Sequence, residues 1–415
     1  MIQPKPQILS PAGSFDSLMA AIQAGADAVY FGVEQLNMRA RSVPTFTMDD
    51  LKEISTLCHS HNIRAYLTLN TVMYDHDIQL LKRILKEVKK HQIDAVIASD
   101  IAVIECCNQM GIPVHISTQA NVSNIEAVRF YARFADVIVL ARELTLKQVA
   151  SITREIRTKN ITGFSGKPVQ IEIFVHGALC MAVSGKCYLS LHSHNASANR
   201  GACIQNCRHS YTVTDTETQD QLVIDHEYIM SPKDLCTLPI LEEVLKSGVD
   251  VLKIEGRTKG ADYVHTVTRC YKEAVEAVET KTITADRIAD WMKQLDSVYN
   301  RGFWEGYYMG QKMGEWSPKP GSVATERKVY LGKGSKFYPK ISVGEFLIET
   351  GTLKTGDVLM ISGAHVGFVK EKLDTLIVNG QLSGEAVKGD KITLPVSAKI
   401  TSRDKIYKVV ENADA

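Results

Sequence analysis

Five cysteines fall within 57 residues of this 415-residue chain: Cys180, Cys187, Cys203, Cys207 and Cys236. Thiolate sulfur is a soft ligand, suited to zinc or to iron–sulfur clusters. A structural zinc site usually shows two tight pairs, with roughly two to four residues between the cysteines of each. Here three residues separate Cys203 from Cys207, and six separate Cys180 from Cys187. The looser spacing favours a cluster wrapped by loops, because a cubane is larger than a single ion. Lys186, Arg200 and Arg208 are near enough in sequence to offset the charge of the thiolates. Spacing selects no particular four of the five. Cys58, Cys106, Cys107 and Cys270 sit on helix-period faces, where ordinary core packing is expected.

The elements that must position these cysteines are short apolar runs alternating with longer amphipathic ones. The runs are Gln7–Leu9, Ala28–Phe31, Ala65–Leu69, Ala95–Ala98, Val114–Ser117, Val137–Leu140, Ile171–Val175 and Val251–Ile254. Helical periods cover Ser14–Ala24, Met48–His59, Ile78–His91 and Thr145–Thr158, and later Tyr263–Val278 and Ala285–Tyr299. Ser14 is a natural N-cap, with Gly25 following the helix end. Such alternation means parallel βαβ units, and about eight of them predict an α/β fold closed as a TIM-like (β/α) barrel. An open doubly wound sheet has the same periodicity. In a barrel, chemistry comes from the C-terminal strand ends. Those ends hold Arg142 and Glu143, His176, and Glu255 and Arg257, with Arg39 in the loop after Gly32.

Beyond these lies a stretch rich in Gly, Pro and aromatics, residues 301–321, which reads as a linker between a catalytic domain (1–300) and a C-terminal domain (322–415). The latter has short alternating strands and turn signals, Gly-Asp at 356–357 and 389–390 and Asn-Gly at 379–380. A small all-β barrel is expected there. Its segment from Arg327 to Lys340, including Lys333, Lys336 and Lys340, carries no acidic residue and is interleaved with Tyr330, Phe337 and Tyr338. That composition suits phosphate contact and base stacking, though lysines also protect sheet edges. A formal net charge of +1 excludes a broadly basic nucleic-acid coat. No secretory signal and no apolar stretch of membrane-spanning length is read, so a cytoplasmic protein without a membrane partner is expected.

The cysteine segment also carries a family signature. Glu172, Phe174, Gly177-Ala178-Leu179-Cys180, Gly185, Cys187 and Leu189-Ser190 fit that of the family called peptidase U32 at every defined position. Leu9-Ser10-Pro11-Ala12-Gly13, Ala141-Arg142-Glu143-Leu144 and Leu252-Lys253-Ile254-Glu255-Gly256-Arg257 also resemble it, so the likeness covers nearly the whole chain. The family name reflects an assignment as collagenase-like proteases. The resemblance also implies oxygen-independent hydroxylases carrying a 4Fe-4S cluster. One branch forms 5-hydroxyuridine at the tRNA wobble position, with prephenate as hydroxyl donor. Others act on a cytidine of 23S rRNA or in anaerobic ubiquinone synthesis. One β-domain after the barrel looks most like the tRNA branch. The resemblance allows a fourth ligand from either Cys236 or the Cys203–Cys207 pair. The expected set is Cys180, Cys187, Cys203 and Cys207, with Cys236 as the alternative to one of them.

Prephenate carries two carboxylates, and arginine pairs with carboxylates bidentately. Arg39, Arg142 and Arg257 are thus candidate clamps, the plainer role being rim salt bridges. His176, Glu143 and Glu255 are candidate acid–base groups, while Glu172 is expected in a buried ion pair. A base must reach the barrel mouth, so tRNA would dock there with its target nucleotide unstacked. Iron–sulfur assembly machinery, and a second U32-type subunit or a homo-oligomer, are further implied partners. The competing functions are a peptidase and a non-catalytic RNA-binding protein. Neither His-Glu-x-x-His nor Gly-x-Ser-x-Gly is present. A peptidase would therefore rest on Cys180 or Cys187 as nucleophile with His176 as base.

Overall fold

Strands made almost wholly of apolar residues can be buried on both faces, and here they close on themselves. In the computed structural model, which describes residues 5–40, 46–222, 230–311, 314–319, 321–396 and 398–413, seven parallel strands follow in order. They are β1 (Gln7–Pro11), β2 (Ala28–Phe31), β3 (Arg64–Leu69), β4 (Ala95–Ala98), β5 (Val114–Ile116), β6 (Val137–Val139) and β7 (Gln170–Gly177). A short β8 (Asp234–Cys236) runs antiparallel to β7, with Cys236 opposite His176. The strand β9 (Val251–Ile254) pairs in parallel with both β1 and β7, which closes an eight-stranded barrel. The predicted closure is therefore the observed one.

Helices pack outside in the expected places. In α1 (Phe15–Gln23) the Ser14 hydroxyl accepts from the Ser17 amide in a capping box. Farther on are α2 (Leu51–Ser60), α3 (Ile78–Lys90), α4 (Ile101–Met110), α5 (Ile125–Ala132) and α6 (Leu146–Thr158). In α3 the buried residues are Leu81, Ile84, Leu85 and Val88, a single stripe at helical spacing. A short α7 (Leu189–His194) lies in the cysteine segment, followed by α8 (Leu241–Lys246), α9 (Ala261–Glu279) and α10 (Ala285–Ser297). No helix among the described residues is long and apolar enough to cross a membrane.

Two glycines let the barrel mouth close tightly. A Cβ on Gly13 would run into the Arg257 carbonyl. Gly177 has φ 103°, and a Cβ there would meet the Glu255 carbonyl.

Residues 301–321 differ from the expected linker. Phe303–Trp304 forms β10, paired with β8. Trp304 and Tyr308 are each 4% exposed within the barrel's own core. The Tyr308 hydroxyl donates to the Phe174 carbonyl at 2.6 Å, and Arg301 pairs with Asp234 at 3.3 Å. Glycines at this density suggested a free chain, but at Gly302, Gly306 and Gly310 they serve positive-φ turns of a strap that is packed down.

The C-terminal part is all-β as expected. It contains β11 (Glu326–Tyr338), β12 (Val343–Ile348), β13 (Thr352–Lys354), β14 (Val358–Gly363), β15 (Gly367–Lys372), β16 (Leu376–Val378), β17 (Gln381–Ser383), β18 (Glu385–Val387), β19 (Lys391–Pro395) and β20 (Lys405–Glu411). Eight of these form one antiparallel sheet in the order β15-β14-β20-β11-β12-β19-β16-β17, and β13 pairs with β18. The sheet surrounds its own core of Leu331, Phe346, Ile361, Leu376, Ile392 and Ile406. Asn379 and Gly380, both at positive φ, make the β16–β17 turn that Asn-Gly predicted.

This module rests on α1 and α9. The Ser362 hydroxyl donates to Asp16 at 3.0 Å, and Gln23 bonds the Val366 carbonyl at 2.7 Å and the Phe368 amide at 3.0 Å. Lys328 pairs with Asp262 at the start of α9 at 2.8 Å.

If 301–321 is a packed strap, Trp304→Ala should cost roughly 3–5 kcal/mol of stability. Denaturant unfolding checks this, and a cost near zero would restore the linker.

Candidate active site

The βα loops at the C-terminal mouth surround a cavity of about 150 Å³. Cys180, Cys187, Cys203 and Cys207 all line it. Cys180 follows β7 by two residues, Cys187 precedes α7, and Cys207 sits in a tight turn at 206–208. The Arg208 guanidinium stitches the segment together. It donates to the Leu179 carbonyl at 2.6 Å, the Pro232 carbonyl at 2.7 Å and the Ser231 hydroxyl at 3.0 Å. The Ser190 hydroxyl accepts from the Ile204 amide at 3.0 Å. Burial pushes the Cys207 thiol up, and Cys180, Cys203 and Cys187 add to this against the pull of Arg208. The four thiols thus feel one another. Among the described residues no three His, Cys, Asp or Glu side chains stand close enough together to hold a single metal ion.

Cys236 is elsewhere. It is 2% exposed, its thiol lies 3.8 Å from the Met292 sulfur and 3.9 Å from the Tyr271 hydroxyl, and burial pushes it up to about 12. Lying opposite His176 on β8, it is part of the packing behind β7. Cys58, Cys107 and Cys270 are buried in helix faces, as expected.

The charged residues of the mouth converge on the same cavity. Arg39 bonds Glu255 at 3.1 Å, and the Tyr30 hydroxyl donates to the Ile254 carbonyl at 2.8 Å. Burial would raise the Glu255 carboxyl, but Arg39, Arg142 and Arg257 outweigh it and hold the group at about 2. A carboxylate so depressed is a poor proton acceptor near neutrality. Glu255, expected as a base, is instead the counter-ion that gathers the arginines. Arg257 donates to Thr68 at 2.6 Å and to Asn37 at 3.2 Å, and Arg142 donates to the Ala178 carbonyl at 2.9 Å while lying 3.9 Å from the Phe174 ring centroid. The Nε of each is buried without a partner among the described residues.

Lys253 belongs to this set, and sequence inspection passed over it. It lines the cavity, pairs with buried Glu172 at 2.7 Å and lies 4.6 Å from the Tyr30 ring centroid. A lysine between Leu252 and Ile254 in a buried strand was the available signal. Glu172 has the ion pair predicted for it.

His176 does not reach the cavity. Its ring is caged by Tyr263, Tyr271 and Phe303 at 5.9, 5.6 and 5.4 Å between centroids, and burial pushes it down to about 3. It is a neutral packing group, not the expected acid–base catalyst. Glu143 is exposed beside Arg142 in a smaller adjoining groove with Trp304, Tyr307 and Trp316. Of the basic residues expected to offset the thiolates, Arg208 does so while Arg200 is engaged by Asp77, and Arg39 takes its place near Cys180 and Cys203.

The C-terminal lysines are less free than their run suggests. Lys333 pairs with Glu349 at 2.7 Å, and Lys336 lies 4.8 Å from the Tyr338 ring centroid. Lys340 is exposed in the turn after β11. Glu345 and Glu349 reach this strand from β12 and its end, so its charge is partly compensated.

The model of peptidase family U32 matches residues 13–318. The chain belongs to this family. Among its U32 relatives is a protein named "Collagenase" from Porphyromonas gingivalis, 52% identical over 97% of both chains. A "tRNA hydroxylation protein P1" from Bacillus subtilis is 30% identical over 91% of this chain and 94% of its own. The "23S rRNA 5-hydroxycytidine C2501 synthase" of Escherichia coli is 33% identical over 66% of this chain but 39% of its own length. The U32 match ends where the β-module begins, and it contains every cysteine and arginine of the cavity.

The histidine cage has a pH consequence. With an ordinary value of 6.5 and a folded value of about 3, His176 takes up a proton first in the unfolded chain. Its contribution to stability is therefore complete above pH 6.5 and is lost as pH falls toward 3. His176→Phe should flatten that acid limb by roughly a few kcal/mol. Unfolding curves across this range test it, and an unchanged limb would place the imidazole in contact with water.

Proposed function

We propose that this chain is an oxygen-independent RNA hydroxylase that carries a 4Fe-4S cluster on Cys180, Cys187, Cys203 and Cys207. Its substrate is a tRNA pyrimidine, read as the wobble uridine that becomes 5-hydroxyuridine, with prephenate as hydroxyl donor. One observation carries the proposal: four thiols and four cations open on one cavity at the barrel mouth. Soft sulfur donors held by loops fit a cluster, which when bound would supply a redox centre beside the substrate. Arg39, Arg142, Arg257 and Lys253 outnumber the carboxylates they meet, Glu255 and Glu172, and the unpartnered Nε atoms of Arg142 and Arg257 leave donors for an anionic co-substrate. Arg142 and Arg257 would hold its carboxylates, Tyr30 and Phe174 would wall it, and Glu255 keeps the arginines in place.

The relatives named for RNA hydroxylation support the substrate class. The tRNA protein matches end to end, whereas the rRNA enzyme extends well beyond this chain, which favours tRNA. The relative named for collagenase activity keeps a peptidase in view. The caged His176 argues against it, because a cysteine nucleophile at the mouth would not find its expected histidine base there.

Protein purified without oxygen should contain about four irons and four sulfides per chain. Cys187→Ala should lose the cluster and hydroxylated tRNA together, while Cys236→Ala keeps its iron at some cost in stability. Zinc alone, or collagen cleavage that survives loss of iron, would overturn the proposal.

The β-module would be the landing site for tRNA. Reversing charge at Lys333, Lys336 and Lys340 should weaken tRNA binding and flatten its salt dependence, with Lys333 contributing least because of Glu349. Filter binding across a salt series that shows no change would remove the patch from the interface.

A further inference from the structure

Beside the cationic cavity lies a second, smaller chamber of about 40 Å³. Its walls are aromatic: Trp304, Tyr307 and Trp316, with Pro232 closing one side. Trp304 and Tyr307 meet edge to face at 5.3 Å, and the Trp304 indole nitrogen is anchored on the Lys233 carbonyl at 3.2 Å. Trp316 is held by a backbone bridge to Pro232. Gly314 brings no side chain into the ring cluster, though its Cβ position is within 4 Å of all three aromatics. Polar groups in the lining are Glu143, Arg142, Ser184 and the Cys180 thiol. Among the described residues Glu143 has no ion-pair partner.

The two chambers share one partition. Arg142, Cys180, Met181, Ala182 and Ser184 line both. The inner side holds the arginines, Lys253 and all four thiols, with Tyr30 and Phe174 beside them, and the outer side holds Trp304, Tyr307 and Trp316.

We propose that the Trp304–Tyr307–Trp316 groove is the nucleobase subsite, where an unpaired pyrimidine of RNA stacks across Arg142 and Cys180 from the inner cavity. This rests on the RNA reading above. Stacking on aromatic faces is sequence-tolerant and strong, and Glu143 offers an acceptor to a base N–H. An extended proline-rich peptide also favours aromatic grooves, but the partition shared with the cationic cavity favours a nucleotide.

The test uses the full-length protein, its tryptophan fluorescence, and a stem-loop RNA with one unpaired uridine in the loop. The same RNA made abasic at that position is the reference. Wild type should bind the uridine loop about ten-fold more tightly than the abasic one, with stronger quenching. Trp316→Ala should lose that discrimination and Trp316→Phe should keep most of it. Gly314→Val, which fills the space between the rings, should lose it without removing an aromatic side chain. Equal binding of both RNAs by wild type, or full discrimination by Trp316→Ala and Gly314→Val, overturns the subsite. So does displacement of the uridine loop by a Gly-Pro-Pro peptide. Base discrimination without hydroxylated product in cellular tRNA would sink the hydroxylase reading and support the subsite. Product without base discrimination would do the reverse.

Discussion

The seam between β7 and β9 must satisfy two opposed demands. It has to close a barrel whose strands are buried on both faces, and it has to deliver charged residues to the mouth a few positions later. The Lys253–Glu172 pair crosses this seam at 2.7 Å, with both side chains almost wholly buried. Buried ion pairs of this kind add little net stability, because desolvation consumes most of the attraction. Their effect is on register: a slip of one residue would point either charge into the helical layer with no partner. With register held, β7 ends at Gly177 and leads to Cys180, while β9 ends at Ile254 and leads to Glu255 and Arg257. The thiol loop and the Glu255–Arg257 segment both take their position from that one seam.

Much of the barrel was legible because its strands are mostly apolar and its helices have one buried stripe, a pattern set by local residue choice. That four cysteines share one cavity was legible from their clustering in sequence just past β7. What was not legible depended on direction. His176 and Cys236 occupy opposed positions on β7 and β8, and the antiparallel pairing of a three-residue strand leaves no periodic trace. Glu255 differs from a base only through three arginines that arrive from separate loops. The strap at 301–321 looked like a linker because glycine and proline mark flexible chain and tight packed turns alike, and only the burial of Trp304 and Tyr308 separates the two. Lysines in the β-module read as a free cationic run because their acidic neighbours come from the next strand.

Charge at the mouth is organised around a single carboxylate. Glu255 lies among arginines that would otherwise repel one another in a poorly solvated space. It leaves each of them with unused hydrogen-bonding capacity, most plainly the Nε atoms of Arg142 and Arg257. The aromatic faces of Tyr30 and Phe174 lie beside Lys253 and Arg142, favouring cations where water is scarce. A cavity built this way keeps its cations in place through Glu255 and the ring faces.

The footing of the β-module carries a geometric consequence. Asp16 and Gln23 are seven residues apart on α1, close to two full turns, so both contacts leave the same side of one helix. That helix starts just past Gly13, whose backbone lies against Arg257. Adding or deleting one residue within α1 would swing the second foothold by about 100° around the helix axis. The module would then keep one contact and lose the other, while the barrel itself stayed closed. Phase along a single nine-residue helix thus sets how the β-module sits against the outer wall of the barrel.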